Sequence, residues 1–164
     1  GLNSLKIDLS ASEAAFSGSL DTAVLMSESA KACNIDINVV REASDGYWSN
    51  VWMKKPWCMS FWSGRPTADW MFTTAYAAEA KWNDTFWKNP RFNELLKSAR
   101  AELNDTRRGE MYAEMQSLLQ DDGGIMVLMF NDFVTARSTK LAHGEMNSNY
   151  DHDGGYMYRR WWFA

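Results

Sequence analysis

Residues 57–70, with the sequence WCMSFWSGRPTADW, contain the pattern on which the interpretation of this chain depends. The apolar run 57–62 stops at the turn sequence SGRP, at 63–66, and an apolar run bounded by Gly and Pro indicates a buried strand. In open α/β sheets, ligands bind beyond the carboxyl ends of the strands. The stretch therefore predicts a strand that leads into a ligand-facing turn.

Two segments upstream of this run have the period of half-buried strands. Hydrophobic and polar residues alternate over 5–10 and over 35–40. Between them lies a helical segment that ends near residue 33, with Asp21 as the predicted N-cap and Asn34 as the predicted terminator. This order and spacing predict a parallel βαβ unit with a right-handed crossover, and hence an α/β fold.

The downstream half is predicted to be mainly helical. A short amphipathic segment at 47–52 and a helix or loop-helix mixture at 68–80 precede a helical hairpin. Asn89 and Pro90 predict the start of its first helix, and Asp105 is the predicted cap of its second. The apolar face of the first helix is predicted to contain Phe92, Leu95, Leu96, Ala99 and Leu103, and that of the second Met111, Met115, Leu118 and Leu119.

A further strand is predicted after the hairpin. Residues 125–130, IMVLMF, follow two glycines and are all apolar, which is typical of a strand buried on both faces. An extended piece is predicted at 133–138. From residue 139 onward the chain has neither a helical nor a strand period, so no core partner is predicted for it.

Composition excludes several classes of function. A net charge of −4 and a pI near 5.2, without a basic stripe, argue against a nucleic-acid or anionic-membrane partner. No apolar segment approaches the length of roughly 20 residues that a membrane span needs. Cys33 and Cys58 lie at apolar positions, so buried free thiols are favoured, although a disulfide stays open for an oxidising compartment.

The titratable residues do not form a catalytic pattern. His143 and His152, with the acids Glu145, Asp151 and Asp153 nearby, have the side chains of a cation site, but polar residues beside glycines are more typical of a solvated loop. No nucleophile accompanied by a base and no nucleotide-binding motif is found in the sequence. We therefore predict no catalytic residues, no metal, no cofactor and no enzymatic activity.

Binding is better supported than catalysis. Trp62 offers a flat apolar face, and Arg65 and Asp69 follow it by three and seven residues, a mixture typical of small-ligand sites. The alternative is that Trp62 belongs to the core while Arg65 pairs with Asp69 on the surface. Two glycosylation sequons, at Asn83 and Asn104, are also explained by the chemistry of helix boundaries.

The helical hairpin carries a resemblance to a known family. The segments 92–100 (FNELLKSAR), 105–108 (DTRR) and 111–121 (MYAEMQSLLQD), with the apolar run to Phe130, resemble the C-terminal part of the family 5 extracellular solute-binding proteins. These are the peptide, dipeptide and nickel receptors of ABC importers. They are considerably longer than this chain, so the resemblance, together with a start at Gly1 instead of Met, implies a fragment.

The resemblance implies a fold, a role and a location. It implies one lobe of a class II-type periplasmic binding protein, a mixed sheet flanked by helices, at 1–138, and a tail at 139–164 that packs on a missing first lobe. The receptor would bind an oligopeptide or similar polar solute between lobes in the periplasm and deliver it to an inner-membrane permease. The alternatives are a small-molecule α/β enzyme and a protein-interaction domain without a transport role.

The resemblance also implies where the ligand binds. Peptide-binding relatives carry an Asp three residues after the Trp that corresponds to Trp62, and that carboxylate receives the peptide ammonium. Arg65 stands at this position here, and a guanidinium favours a carboxylate or phosphate. Asp69 would take over the cation if the turn is reshaped. The predicted ligand-binding residues are Trp62, Ser63, Gly64, Arg65, Thr67 and Asp69.

Overall fold

A computed structural model describes residues 4–164, so the predicted chain start at Gly1 lies outside the described residues. The chain divides into two units, one ending at Trp62 and one spanning Ser63–Ala164. The first contains β1 (Leu5–Ala11), α1 (Ser19–Ala30), a 3₁₀ turn (Lys31–Cys33), β2 (Ile35–Arg41) and α2 (Tyr47–Asn50). The second contains α3 (Ala68–Ala75), α4 (Pro90–Ala101), α5 (Asp105–Asp122), β3 (Leu141–His143), α6 (Asp151–Gly154), α7 (Met157–Arg160) and β4 (Trp161–Phe163).

The first unit confirms the predicted parallel βαβ arrangement. β1 and β2 pair in parallel, with a register that runs from Leu5 opposite Ile35 to Ala11 opposite Arg41. α1 packs against β2. The core of this unit includes the fully buried Leu9 together with seven further residues: Ala11, Ala15, Ala23, Ile37, Tyr47, Val51 and Met59.

The helical segment, α1 continued by the 3₁₀ turn, ends at Cys33 as predicted, whereas its predicted start is wrong. The helix begins at Ser19, after Gly18 at φ 81°, and not at Asp21, which lies in the first turn. Glu13 explains the earlier start, because its carboxylate accepts hydrogen bonds from the N–H groups of Gly18 (2.8 Å) and Leu20 (3.3 Å). Asn34, at φ 57°, ends the 3₁₀ turn as predicted.

The third strand is much shorter than predicted. Residues 57–59 form one parallel bridge to β1, in which Ser10 N donates to Trp57 O (3.1 Å) and Met59 N donates to Ser10 O (2.9 Å). The chain then leaves the sheet, and the rings of Phe61 and Trp62 pack against other aromatic rings of the same unit. The prediction of a continuous strand over 57–62 is therefore wrong, because only residues 57–59 pair with β1.

Helix α4 confirms the sequence pattern over most of its length. Asn89 Oδ1 accepts from Phe92 N (3.0 Å), Pro90 is the first helical residue, and the apolar face is buried as far as Ala99. Leu103 is 92% exposed, contrary to the prediction, because the helix ends at Ala101.

Helix α5 is capped one residue earlier than predicted. Asn104 Oδ1 accepts from Arg107 N (3.0 Å), so Asn104 and not Asp105 is the N-cap. Met115 and Leu119 are buried against the rest of the unit, as predicted. The predicted helix over 68–80 corresponds to α3 and a following series of turns.

The apolar run 125–130 contradicts the prediction of a buried strand. Within residues 4–164 it belongs to no strand, and Phe130 is 96% exposed. Hydrophobicity alone predicted burial, but no strand of the described part pairs with this run, since β3 pairs with β4.

The C-terminal segment has internal partners that its sequence did not predict. β3 and β4 pair antiparallel, with Leu141 opposite Phe163. Asp153, which is 2% exposed, accepts from Asn147 N (2.6 Å) and from Trp161 Nε1 (3.1 Å) and forms an ion pair with Arg160. The packing of this segment on a separate lobe stays a prediction.

Both cysteines are free thiols. Cys58 is half-buried, but Cys33 is exposed, contrary to the predicted burial, because it ends the 3₁₀ turn on the surface. No helix among residues 4–164 combines the length and the apolar character that a membrane crossing requires.

Candidate ligand-binding surface

A row of four aromatic rings follows β2 and the bridge at residues 57–59, and we call it the aromatic row. It consists of Trp48, Trp52, Phe61 and Trp62. The ring centroids of Trp48 and Trp52 are 5.9 Å apart, those of Trp48 and Phe61 5.9 Å, and those of Trp52 and Trp62 6.5 Å, all near edge-to-face. Trp48 is 40% and Phe61 55% exposed, so the row presents aromatic surface to solvent.

Tyr47 anchors this row to the sheet. It is 1% exposed, its hydroxyl donates to Met59 O (2.6 Å), and its ring contacts Trp48 edge-to-face at 5.6 Å. Burial, followed by the neighbouring Cys58 and Glu42, raises the pKa of the Tyr47 phenol, so it remains a donor at all ordinary pH values. The row therefore stands on a rigid base at the carboxyl ends of β1 and β2.

Acidic and hydroxyl groups lie at the same edge of the first unit. Ser10, in β1, donates from Oγ to Glu42 Oε1 at 2.8 Å, and Glu42 is the residue that follows β2. The Oγ atoms of Ser12 and Ser44 are 3.4 Å apart. Parallel strands bring their carboxyl ends together, which explains how residues 32 positions apart meet here.

The structure divides the predicted ligand-binding residues between the units. Trp62 is half-buried and is the last residue of the first unit, whereas the other five belong to the second. Arg65 Nη1 donates to Ser63 O (2.9 Å) and Ser63 Oγ (3.1 Å), which holds the guanidinium over its own turn. Thr67 is the N-cap of α3, where its Oγ1 accepts from Trp70 N (3.2 Å).

Gly64 is closely approached by another part of the second unit. A Cβ atom at this position would lie 3.2 Å from the backbone oxygen of Asn149, which is tighter than ordinary contact. Gly64 therefore allows the chain near Asn149 to pack against the turn that carries Arg65.

Asp69 has strong partners within the second unit. Arg100 donates from Nε to Asp69 Oδ2 (2.8 Å) and from Nη2 to Oδ1 (3.0 Å), while the Tyr112 hydroxyl donates to Oδ2 (3.1 Å). The Arg100 hydrogen bond, followed by that of Tyr112, lowers the pKa of the Asp69 carboxyl despite partial burial. This arrangement ties together α3, α4 and α5.

Sequence reasoning missed Arg100, Tyr112 and Glu42. Arg100 and Tyr112 lie 31 and 43 residues from Asp69, and nothing in their local pattern connects them with it. Glu42 had a weak signal, since it lies two residues after a predicted strand, near the edge of the sheet where ligands bind.

A groove of about 690 Å³ also opens in the first unit, along β1, β2 and α1. Its charged side chains include Lys6 and Asp36, whose charges lie 3.5 Å apart, and it includes none of the predicted site residues. In the described part of the chain, no three His, Cys, Asp or Glu side chains are grouped so as to hold a metal ion.

Two comparisons of the sequence gave no match. No known protein-family profile matches it. No curated protein sequence matches it either. Its similarity to known proteins therefore rests on comparison with solved structures.

Several solved structures have the same fold over most of this chain. NikZ from Campylobacter jejuni, in complex with Ni(L-His), matches with a TM-score of 0.73 and 14% identity, over 96% of this chain and 33% of that one. The oligopeptide-binding protein AppA from Bacillus subtilis, bound to a nonapeptide, matches with a TM-score of 0.59 and 13% identity, over 98% and 32%.

A third match is the ABC transporter-associated protein DppA from Helicobacter pylori in complex with the peptide STSA. Its TM-score is 0.61 at 17% identity, over 74% of this chain and 25% of that one. The chain thus spans between a quarter and a third of the length of these proteins. The predicted fold class, an α/β fold matching part of a periplasmic binding protein, is confirmed, and the predicted resemblance is confirmed at the level of the fold.

Proposed function

We propose that this chain is part of the solute-binding component of an ABC importer. The receptor binds an oligopeptide or a similar polar solute in an interlobe cleft in the periplasm and delivers it to a permease in the inner membrane. It has no catalytic activity of its own. The domain at 1–138 supplies one wall of the cleft, and other lobes of the receptor supply the opposite wall.

The observation that carries this proposal is the agreement in fold with NikZ over 96% of the chain. The matched proteins are described in complex with a nickel-histidine species or with peptides. A shared fold alone does not specify a function, so the proposal also relies on the aromatic and charged groups at the carboxyl edge of the sheet. That edge is where α/β folds bind ligands.

The predicted site residues have distinct roles in this proposal. Trp62 contributes apolar surface, and Arg65 offers its guanidinium to an acceptor-rich group of the solute. Ser63, Gly64 and Thr67 shape the turn that presents Arg65. Asp69 lies in the first turn of α3, which begins directly after Thr67. Its bond to Arg100 therefore stabilises the position of the turn that precedes α3.

A thermal-shift assay on the exported full-length protein tests this function. A ligand that binds only the folded state raises the melting temperature, by an amount that grows with ligand concentration over Kd. Pools of short oligopeptides and other polar solutes are added in turn. We expect at least one pool to raise the melting temperature in a saturable manner, and uptake of its active component to fail in cells that lack the protein. Uptake that does not depend on the protein would contradict the proposal.

The exposed apolar residues after α5 favour a protein-interaction domain as a second candidate function. Phe130, Phe133 and Val134 are each more than half exposed, as are several neighbouring side chains. Combining this chain with the other lobes of the receptor separates the candidates. Solute affinity that appears only in the mixture supports the receptor, whereas tight binding of an unrelated protein with no solute affinity supports the alternative.

A further inference from the structure

We propose that Glu42, together with Trp48 and Phe61 of the aromatic row, binds the cationic group of the solute, an ammonium or a guanidinium. This inference rests on the proposed function and deepens it, since it names a charge that the solute must carry. It also assigns a contact surface outside the six predicted residues. All its residues belong to the first unit.

Glu42 is held in place by the two parallel strands. Its backbone N–H donates to Ala11 O at 2.9 Å, and its Oε1 accepts from Ser10 Oγ at 2.8 Å. The side chain is partly buried. Among residues 4–164, its Oε2 atom receives no hydrogen bond and the carboxylate forms no ion pair. One carboxylate oxygen is therefore positioned by the protein and the other is left for a partner.

Tyr47 contacts both the aromatic row and the residue that holds Glu42. The Tyr47 hydroxyl lies 3.4 Å from the backbone oxygen of Ser10, the residue that holds Glu42, and the Tyr47 ring packs on Trp48. The Glu42 charge contributes to the raised pKa of Tyr47, which agrees with this proximity. Carboxylate and exposed aromatic rings thus share the carboxyl edge of one small sheet.

This combination favours a cation over other ligands. A partly buried carboxylate without a partner is costly, and an organic cation provides the missing charge. A cation over the face of an aromatic ring is also attracted by the negative charge of that face. An anionic group would be repelled by Glu42, and a neutral apolar group would leave its carboxylate unpaired. The groups present therefore match an ammonium or guanidinium.

A purely structural role for Glu42 makes a different prediction. If the side chain serves only as the acceptor for Ser10, a neutral amide oxygen is sufficient, and Glu42→Gln leaves every measured property unchanged. If it binds a cation, the same substitution keeps the Ser10 bond but removes the charge. Glu42→Gln therefore separates the two roles while preserving the local fold.

The test titrates the purified full-length protein with N-ethylguanidinium chloride and, as a neutral control of the same shape, N-ethylurea, at constant ionic strength. The indole N–H resonances of the tryptophans are followed by NMR, and Trp48→Phe identifies that of Trp48. We expect a saturable shift of the Trp48 resonance with the cation alone. Glu42→Gln is expected to weaken this binding about tenfold, the loss of one desolvated charge pair.

Two further variants complete the design. Glu28→Gln, which removes an exposed acid of α1 in the same unit, is the matched control and should leave the binding unchanged. Phe61→Ala, at a half-exposed position, should weaken binding about threefold, as expected for a lost cation–π contact. Equal shifts with N-ethylurea, or unchanged affinity in both Glu42→Gln and Phe61→Ala, would overturn the proposal. Solute uptake that persists alongside such a result would leave the receptor function standing.

Discussion

The Asp69 carboxylate and the Arg100 guanidinium form a two-pronged ion pair across 31 residues of sequence, with N–O distances of 2.8 and 3.0 Å. The Asp69 side chain is 27% exposed, and Tyr112 donates a third hydrogen bond to it. The acid that follows the predicted ligand-binding turn is thus tied to the helical hairpin. Because its carboxylate already has these partners, we expect Asp69 to contribute mainly to the stability of the fold.

Replacing Asp69 by Asn should destabilise the protein by about 1–2 kcal/mol, because a charge-assisted pair is replaced by weaker neutral bonds. Urea denaturation measures the change. Glu94→Gln is the matched control, since Arg91 keeps its bond to Glu114 when Glu94 is neutral. Equal changes in the free energy of unfolding for both substitutions would show that the Asp69 pair stabilises the protein no more than an exposed ion pair does.

The Asp69 pair also predicts a dependence on pH. Since the folded state lowers the pKa of Asp69 below its ordinary value of 3.8, its contribution is complete above that pH and is lost as the pH falls through the lowered value. The difference in unfolding free energy between the parent protein and Asp69→Asn should therefore be constant near neutrality and shrink in acid. A difference independent of pH down to 2 would contradict this account.

Asn83 is predicted to be a structural residue of the loop between α3 and α4. It is 4% exposed, donates from Nδ2 to Trp87 O (2.7 Å) and Ala77 O (3.3 Å), and accepts from Thr85 (2.9 Å). Asn83→Ala should cost about 1–3 kcal/mol, because buried partners lose their hydrogen bonds. Thermal unfolding measures the loss, and the exposed Asn131→Ala serves as control. A negligible effect at both positions would refute this role.

Arg65 carries the prediction about the solute. If the proposed function holds, reversing this charge with Arg65→Glu in the full-length protein should weaken binding of the native solute by roughly 2–5 kcal/mol, the loss of a buried ion pair with the guanidinium. Isothermal titration calorimetry measures the affinity. Lys88→Glu is a control for general charge effects at an exposed position. Affinity unchanged by Arg65→Glu would remove Arg65 from the site.

The local elements of the fold were predictable because their signals are local. Asn89 with Pro90 starts α4, and Asn34 terminates the helical segment before β2. The βαβ unit follows from two alternating segments with a helix between them. These features depend on backbone preferences of neighbouring residues, which the sequence displays directly.

Features that need distant partners were not predictable in the same way. The run 125–130 has the composition of a buried strand, but burial requires a neighbouring strand, and none pairs with it among residues 4–164. The bond between Asp69 and Arg100 depends on how α3 and α4 pack. The position of Glu42 beside Ser10 depends on the register of β1 and β2.

Mass spectrometry of the full-length protein, purified natively and then denatured, tests the proposed receptor function most directly. The account predicts that a polar solute of defined mass is released in a stoichiometric amount and that Arg65→Glu protein releases much less. Recovery of the native protein without any stoichiometric small molecule, from cells growing in a medium rich in oligopeptides, would contradict it.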